Sequence, residues 1–358
     1  MLKFGKILSL LLMLPQVAAA VDVVVIAPQA EEYQNFGREL TDGVQIAAAD
    51  INANGGVWGQ KVNVIVADDR CDDTFAVSMA QMLSVRENKP KLIIGPYCRN
   101  KMAEVAAIYA QGQLWQIVPV PLAEKNTAVD LAGLQRGQAK VFFEYYQQNL
   151  AGQNTALVYP SNNRELLLVA AEIQKNFAAG GQANRLTSYD LLNYGKNYEL
   201  MAREILLNNQ VIYILGSPKT AAKLTRELKT QREDTKIFAE RAVVTEVYKE
   251  ILGSQAEGSY YLGLKSFQDS PYFTETLVRL RLQGKEPTGM GIYGFAALKL
   301  WAEVAGRAGS WDYNQLRKFA AGTYIMPWGT DTFGSSKAED RNLYGVFQKI
   351  DQEYAQVY

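Results

Sequence analysis

Hydrophobic positions along this chain follow two alternating rhythms. Short β-branched or aliphatic runs occupy residues 21–27 (VDVVVIA), 61–67, 91–95 and 115–120. Between them apolar residues recur at helical spacing. Leu40, Val44, Ala47, Ala48 and Ile51 share one face of a helix read over 40–56, and further helices are predicted over 74–86 and 102–111. Residues 28–39 read as a polar loop. Strand alternating with helix predicts a parallel sheet covered by helices.

The rhythm starts again after a loop-like stretch, 123–137. Helices are predicted over 138–150, 166–177, 198–208 and 221–231, with strands at 155–159, 185–189, 211–215 and 235–239. Two α/β lobes of similar build follow from this, without a residue-level repeat. The final third is less regular. It holds an apolar, aromatic stretch at 258–264, helices over 272–283, 290–308 and 311–321, and short closing strands at 324–332 and 343–350. A late segment of this length is expected to return to the first lobe.

Composition supports two lobes rather than one: the chain has 358 residues, of which 48% are hydrophobic. Its first residues have a targeting pattern. Lys3 and Lys6 precede an apolar run, residues 7–14, and Ala18, Ala19 and Ala20 fit the small-residue cleavage rule. This reads as a secretory signal peptide over residues 1–20, cut near Ala20, because the apolar run is too short to cross a bilayer. The expected destination is the periplasm. Lys plus Arg and Asp plus Glu each number 37, so no charge excess points to nucleic acid.

Export changes the meaning of the only two cysteines, Cys71 and Cys98. In an oxidising compartment a disulfide is favoured over a metal pair, with two buried thiols as the other reading. Histidine is absent, which removes Ser-His-Asp and Cys-His catalysis and the commonest zinc sites. The pairs Asp68–Asp69 and Asp72–Asp73 lack the spacing and final glutamate of a calcium loop and read as turn and cap residues. No cofactor and no enzymatic activity are expected.

In open parallel sheets ligands bind beyond the carboxyl ends of the strands. The residues after Ile94 and Val118 are therefore the first place to look, and both cysteines lie at such ends. Arg99 stands where a strand ends and a helix begins, where free backbone N–H groups and its planar fork suit a carboxylate. Alternatively it pairs with Asp72 or Asp73. Asn100 reads as a helix cap or a ligand hydrogen bond. Tyr159, Met290 and Tyr293 read as wall or core residues.

Four passages carry a likeness to a known family: TDGVQIAAADINANGGVWGQKV, ADDRCDDTFAV, IIGPYCRN and the closing LYGVFQKI. With their spacing they cover nearly all of the chain after the signal. It resembles the type I periplasmic binding proteins of ABC transporters, in particular the leucine/isoleucine/valine-binding group. The resemblance implies an α/β fold of two Rossmann-like lobes with parallel sheets, joined by three hinge crossings and closing on a small solute. The first lobe would combine 21–137 with 266–325, and the second 138–265 with 326–358. It also implies that Cys71 and Cys98 are bridged.

Residue by residue, the resemblance points to Phe36 as the aromatic of the first loop and to Glu240 as the acid that meets a ligand ammonium. Arg164 and Ser217 fall near aromatic wall positions of the second lobe. The chain departs from the amino-acid binders at two places. Arg99 stands where they have serine, and Val120 to Leu122 replace small residues and a threonine. The pocket is therefore expected to take a small organic acid or amino-acid-like solute, with a membrane permease as partner and the chain a monomer. The alternative is an exported ligand-sensing protein of the same fold without a transport role.

Overall fold

The computed structural model describes residues 20–98, 101–122, 127–134, 136–267, 269–333, 343–351 and 353–358. Arg99 and Asn100 lie outside them. The first sheet contains β1 (Val21–Ile26), β2 (Val62–Ala67), β3 (Leu92–Ile94), β4 (Gln116–Val118) and β5 (Val129–Asp130). Its strands run in the order β2-β1-β3-β4-β5, all parallel. Helices α1 (Gln34–Ala53), α2 (Asp73–Val85) and α3 (Met102–Gln111) connect them. The alternation in β1 settles which face is which. Val23 and Val25 join a core with α1, whereas Val24 and Ile26 join one with α2 and α3.

The second sheet begins after α4 (Arg136–Asn149). It comprises β6 (Thr155–Tyr159), β7 (Leu186–Asp190), β8 (Val211–Ile214), β9 (Lys236–Phe238) and β10 (Tyr260–Leu264), with α5 (Arg164–Ala179), α6 (Tyr198–Leu206), α7 (Pro218–Gln231) and α8 (Glu246–Leu252) between them. These five strands are parallel. After β10 the chain returns to the first sheet. There α9 (Thr274–Arg281), α10 (Met290–Ala308) and α11 (Tyr313–Ala320) complete its core, followed by a hairpin of β11 (Thr323–Met326) and β12 (Gly329–Thr332). Finally β13 (Tyr344–Ile350) pairs antiparallel with β10, and β14 (Glu353–Gln356) antiparallel with β13, extending the second sheet. The chain thus passes between the sheets three times in a two-lobed α/β fold.

Three elements differ from the pattern-based reading. The stretch read as a polar loop before residue 40 is helical from Gln34, because Phe36 packs against the same core as Leu40 and extends the apolar face by a turn. The loop at 123–137 contributes the edge strand β5, whose two residues are too few to show a period. The single strand read over 324–332 is a hairpin. Tyr324 and Met326 face inward, and the chain reverses at Pro327–Trp328.

Helices α1 and α10 cross with their backbones in contact. A Cβ on Gly43 would lie 1.9 Å from the carbonyl oxygen of Gly291, so glycine at 43 is what permits the approach. Further along the same pair, the buried Asp50 carboxylate accepts hydrogen bonds from Arg279 of α9 and, at 3.3 Å, from Lys299 of α10. Burial would raise its pKa, but the two cations outweigh that and hold it below the ordinary value.

Gly43→Ala should destabilise the fold by about 1–3 kcal/mol or more, since the obstructing atom is backbone and cannot swing aside. Urea denaturation of the two proteins measures this. Equal midpoints would mean that the helices can separate at no cost.

Candidate functional site

A cavity of about 510 Å³ lies between the lobes, at the carboxyl ends of strands from both sheets. The first lobe supplies Phe36 and Glu39 from the opening turns of α1, Val120 and Pro121 from beyond β4, and Met290 and Tyr293 from the opening turns of α10. The second supplies Gln138 from α4, Glu240 and Arg241 from beyond β9, and Tyr344 from β13. A volume of this size suits a small organic molecule.

The walls are fixed by contacts of their own. Glu39 accepts the Met290 N–H at 2.9 Å, which ties the two helix starts together; burial raises its pKa and that hydrogen bond opposes the rise. Tyr293 donates to the Lys265 carbonyl at 3.1 Å. Gln138 donates to the Tyr213 hydroxyl at 2.6 Å. Phe36 stacks on Tyr97, with ring centroids 5.5 Å apart and planes 14° from parallel.

The short helical turn Glu240–Val244 follows β9 directly. Glu240 is buried and has φ 40°, a left-handed backbone that non-glycine residues rarely adopt and that clusters at functional sites. Arg241 reaches across to the other lobe. Its guanidinium carbon lies 4.8 Å from the Tyr97 ring centroid, and its Nε is 3.9 Å from Glu240 Oε1. Burial works against its charge, yet Tyr97, Glu240, Tyr33 and Tyr344 together raise its pKa above the usual arginine value. Burial likewise lifts the Tyr33 hydroxyl, with Arg241 pulling the other way.

Of the residues singled out from the sequence, Phe36, Val120 and Glu240 meet in this cavity. Leu122 does not line it. It is buried in the first lobe's core, where its N–H donates to the Gly133 carbonyl. Arg164 and Ser217 are not brought there either. Arg164 opens α5 in an exposed position. The Ser217 side chain is an exposed helix cap that accepts the Thr220 N–H of α7. Met290 and Tyr293 do line the cavity; Tyr159 does not. Arg241, seen in the sequence only as a neighbour of Glu240, lines the cavity too, as do Glu39, Gln138 and Tyr344, which the sequence reading did not name as site residues.

Cys71 and Cys98 form a disulfide, with Cα atoms 5.2 Å apart, joining the loops that follow β2 and β3. Asp72 caps α2 beside it by accepting the Phe75 N–H. Among the described residues no cluster of His, Cys, Asp or Glu could hold a metal ion, and no helix is long and apolar enough to cross a membrane.

Comparison with known proteins agrees with this architecture. The family model for periplasmic binding proteins matches residues 20–343, and the chain belongs to that family. An amino acid binding protein of Pseudomonas aeruginosa is 26% identical over 314 residues, covering 82% of this chain and 81% of the relative. A leucine binding protein from Thermotoga maritima superposes with a TM-score of 0.80 at 18% identity, covering 95% and 98% of the two chains. A solute binding protein from R. palustris, in complex with 4-hydroxybenzoate, gives 0.72 at 16% identity over 94% and 95%. The fold is thus that of the substrate-binding proteins, and the role is solute binding.

Asp69 lies at the end of the second strand, next to the disulfide. Its side chain is 1% exposed; Oδ1 accepts the Cys71 N–H at 3.2 Å, while Oδ2 has no hydrogen-bond partner among the described residues. Burial pushes this carboxyl up to about 6, opposed by the Cys71 N–H and reinforced by Asp68. The folded chain therefore holds the proton more tightly than the unfolded one, whose aspartates titrate near about 3.9. Between those two values the contribution of Asp69 to stability falls as pH rises. Asp69→Asn should flatten that part of the profile, and urea midpoints at pH 4, 5, 6 and 7 test this. A difference from wild type that does not vary with pH would contradict the assignment.

Proposed function

We propose that the chain is the periplasmic solute receptor of an ABC importer. It would be exported by a cleaved signal over residues 1–20 and would bind a small organic acid or amino-acid-like solute between its lobes. The observation that carries this reading is the shared cavity, with Phe36 and Val120 on one wall and Glu240 and Arg241 on the other. A solute touching both walls stabilises the closed arrangement over the open one, and the three crossings supply the hinges. The closed form then docks on a membrane permease.

For the lobes themselves we place the crossings near Gly137, near Ser266 and beyond Phe333. Met326 and Phe333, which pack in the first lobe's core, support moving the last crossing beyond the expected boundary at 325/326. Phe36 forms one wall of the pocket, Val120 contributes an apolar surface, and Glu240 is the acid nearest the bound solute. The ligands of these relatives span amino acids and a hydroxybenzoate, which supports a small carboxylate-bearing solute as the class.

A thermal-shift panel of amino acids, dicarboxylates and aromatic acids tests this reading. A solute present at about 100 times its Kd adds about 2.7 kcal/mol of stability, which raises the Tm by several degrees. A panel without a single shift, repeated after unfolding and refolding to strip any retained ligand, would defeat it.

A further inference from the structure

We propose that Arg241 is the specificity-determining residue of the cleft: it takes the carboxylate of the solute, while the apolar body of the solute lies against Phe36 and Val120. The assignment rests on the receptor reading above and adds to it the group that recognises the ligand.

The argument starts from an unmet need. A guanidinium carries five N–H donors and no acceptor, and it stays charged in any protein environment. That of Arg241 is largely covered, with only 21% of its side chain exposed, and it lines the cavity. Yet no hydrogen bond from it to any described residue is present. Its closest carboxylate oxygen, on the adjacent Glu240, is 3.9 Å from Nε, beyond hydrogen-bond distance. Glu240 offsets part of the cost of burying this charge but accepts none of its hydrogen bonds, and an anion that accepts them offsets more.

Geometry then narrows the anion. The guanidinium carbon of Arg241 lies over the Tyr97 ring, and Phe36 stacks on that ring in turn. This contact restrains the cation without using its N–H groups as hydrogen-bond donors, which leaves them for a planar acceptor. A carboxylate matches two of these donors at once. The cavity lining carries Phe36, Val120, Met290 and Tyr293 beside the polar Glu39, Gln138 and Glu240, so an apolar body of the solute has a surface to lie against. Arg241 belongs to the second lobe and Tyr97 to the first. A carboxylate held by Arg241 against the first lobe's apolar wall is therefore satisfied only when the lobes are together, which couples recognition to closure.

The test uses matched acids and amides on the full mature chain: leucine with leucinamide, benzoate with benzamide, and succinate with succinamide, titrated calorimetrically. In at least one pair the acid should bind wild type at least about tenfold more tightly than its amide. Arg241→Met should weaken that acid at least about tenfold while shifting the amide by less than about twofold, and Arg241→Lys should restore part of the loss. If Arg241→Met keeps the acid's affinity, with its circular dichroism unchanged, the assignment is wrong although the receptor reading stands. If wild type does not prefer acid over amide, the assignment is equally wrong, and this comparison holds even if the variant fails to fold. If no probe binds at all, the receptor reading fails and the assignment falls with it.

Discussion

The crossing of α1 over α10 constrains everything around the cleft. Gly43, Gly291 and Gly294 let the backbones meet, and the Glu39 carboxylate then ties the second turn of α1 to the first N–H of α10. The opening turns of both helices face the cavity. Phe36, Met290 and Tyr293 are therefore placed by where the two backbones meet, at Gly43 and Gly291. On the far side Asp50 repeats the arrangement with charge, joining α1 to α9 and α10. The wall of the pocket is stiff because its support is made of backbone contact and ion pairs rather than of loop residues.

The opposite wall is built differently. Glu240 and Arg241 sit on a single short turn after a three-residue strand, and Glu240 adopts a backbone conformation disfavoured for its type. Such conformations persist where surrounding structure imposes them. Here β9 is flanked on both sides by parallel partners, β8 and β10, which fix the point at which the turn begins. The site thus pairs a rigid helical wall with a strained, charged edge. Arg241 bridges them by lying on Tyr97.

Much of the fold was legible because buried parallel strands leave a strong trace. Runs such as VDVVVIA and VIYIL have nothing polar to dilute them, and the helices between them repeat at a regular period. What escaped notice was short or mixed. Residues 34–39 hold one large apolar side chain, so the helix there is decided by packing on a distant core. The edge strand β5 and the turn within the hairpin are set by partners far along the chain. For the site, Phe36, Val120 and Glu240 could be named because they follow strands or open a helix. Ser217 and Arg164 share that position at strand ends, but Ser217 is used as a helix cap and Arg164 lies exposed at the head of α5. Position along the chain marks both kinds of residue alike, and only geometry separates them.

The return of the chain to the first sheet has a consequence for how the molecule assembles. Val23, Ile94 and Leu40 are made early, but their core is closed by Leu298, Trp301 and Leu316, which arrive more than two hundred residues later. Sequence separations of that order slow a chain's search for its native contacts. The five parallel strands of the second sheet are interposed and can pair while the first core still waits for α10, and β13 and β14 join them only at the end of the chain. Both cores thus depend on late segments, and the interval before α10 docks, with apolar residues of the first core still uncovered, is when the chain is most exposed to aggregation.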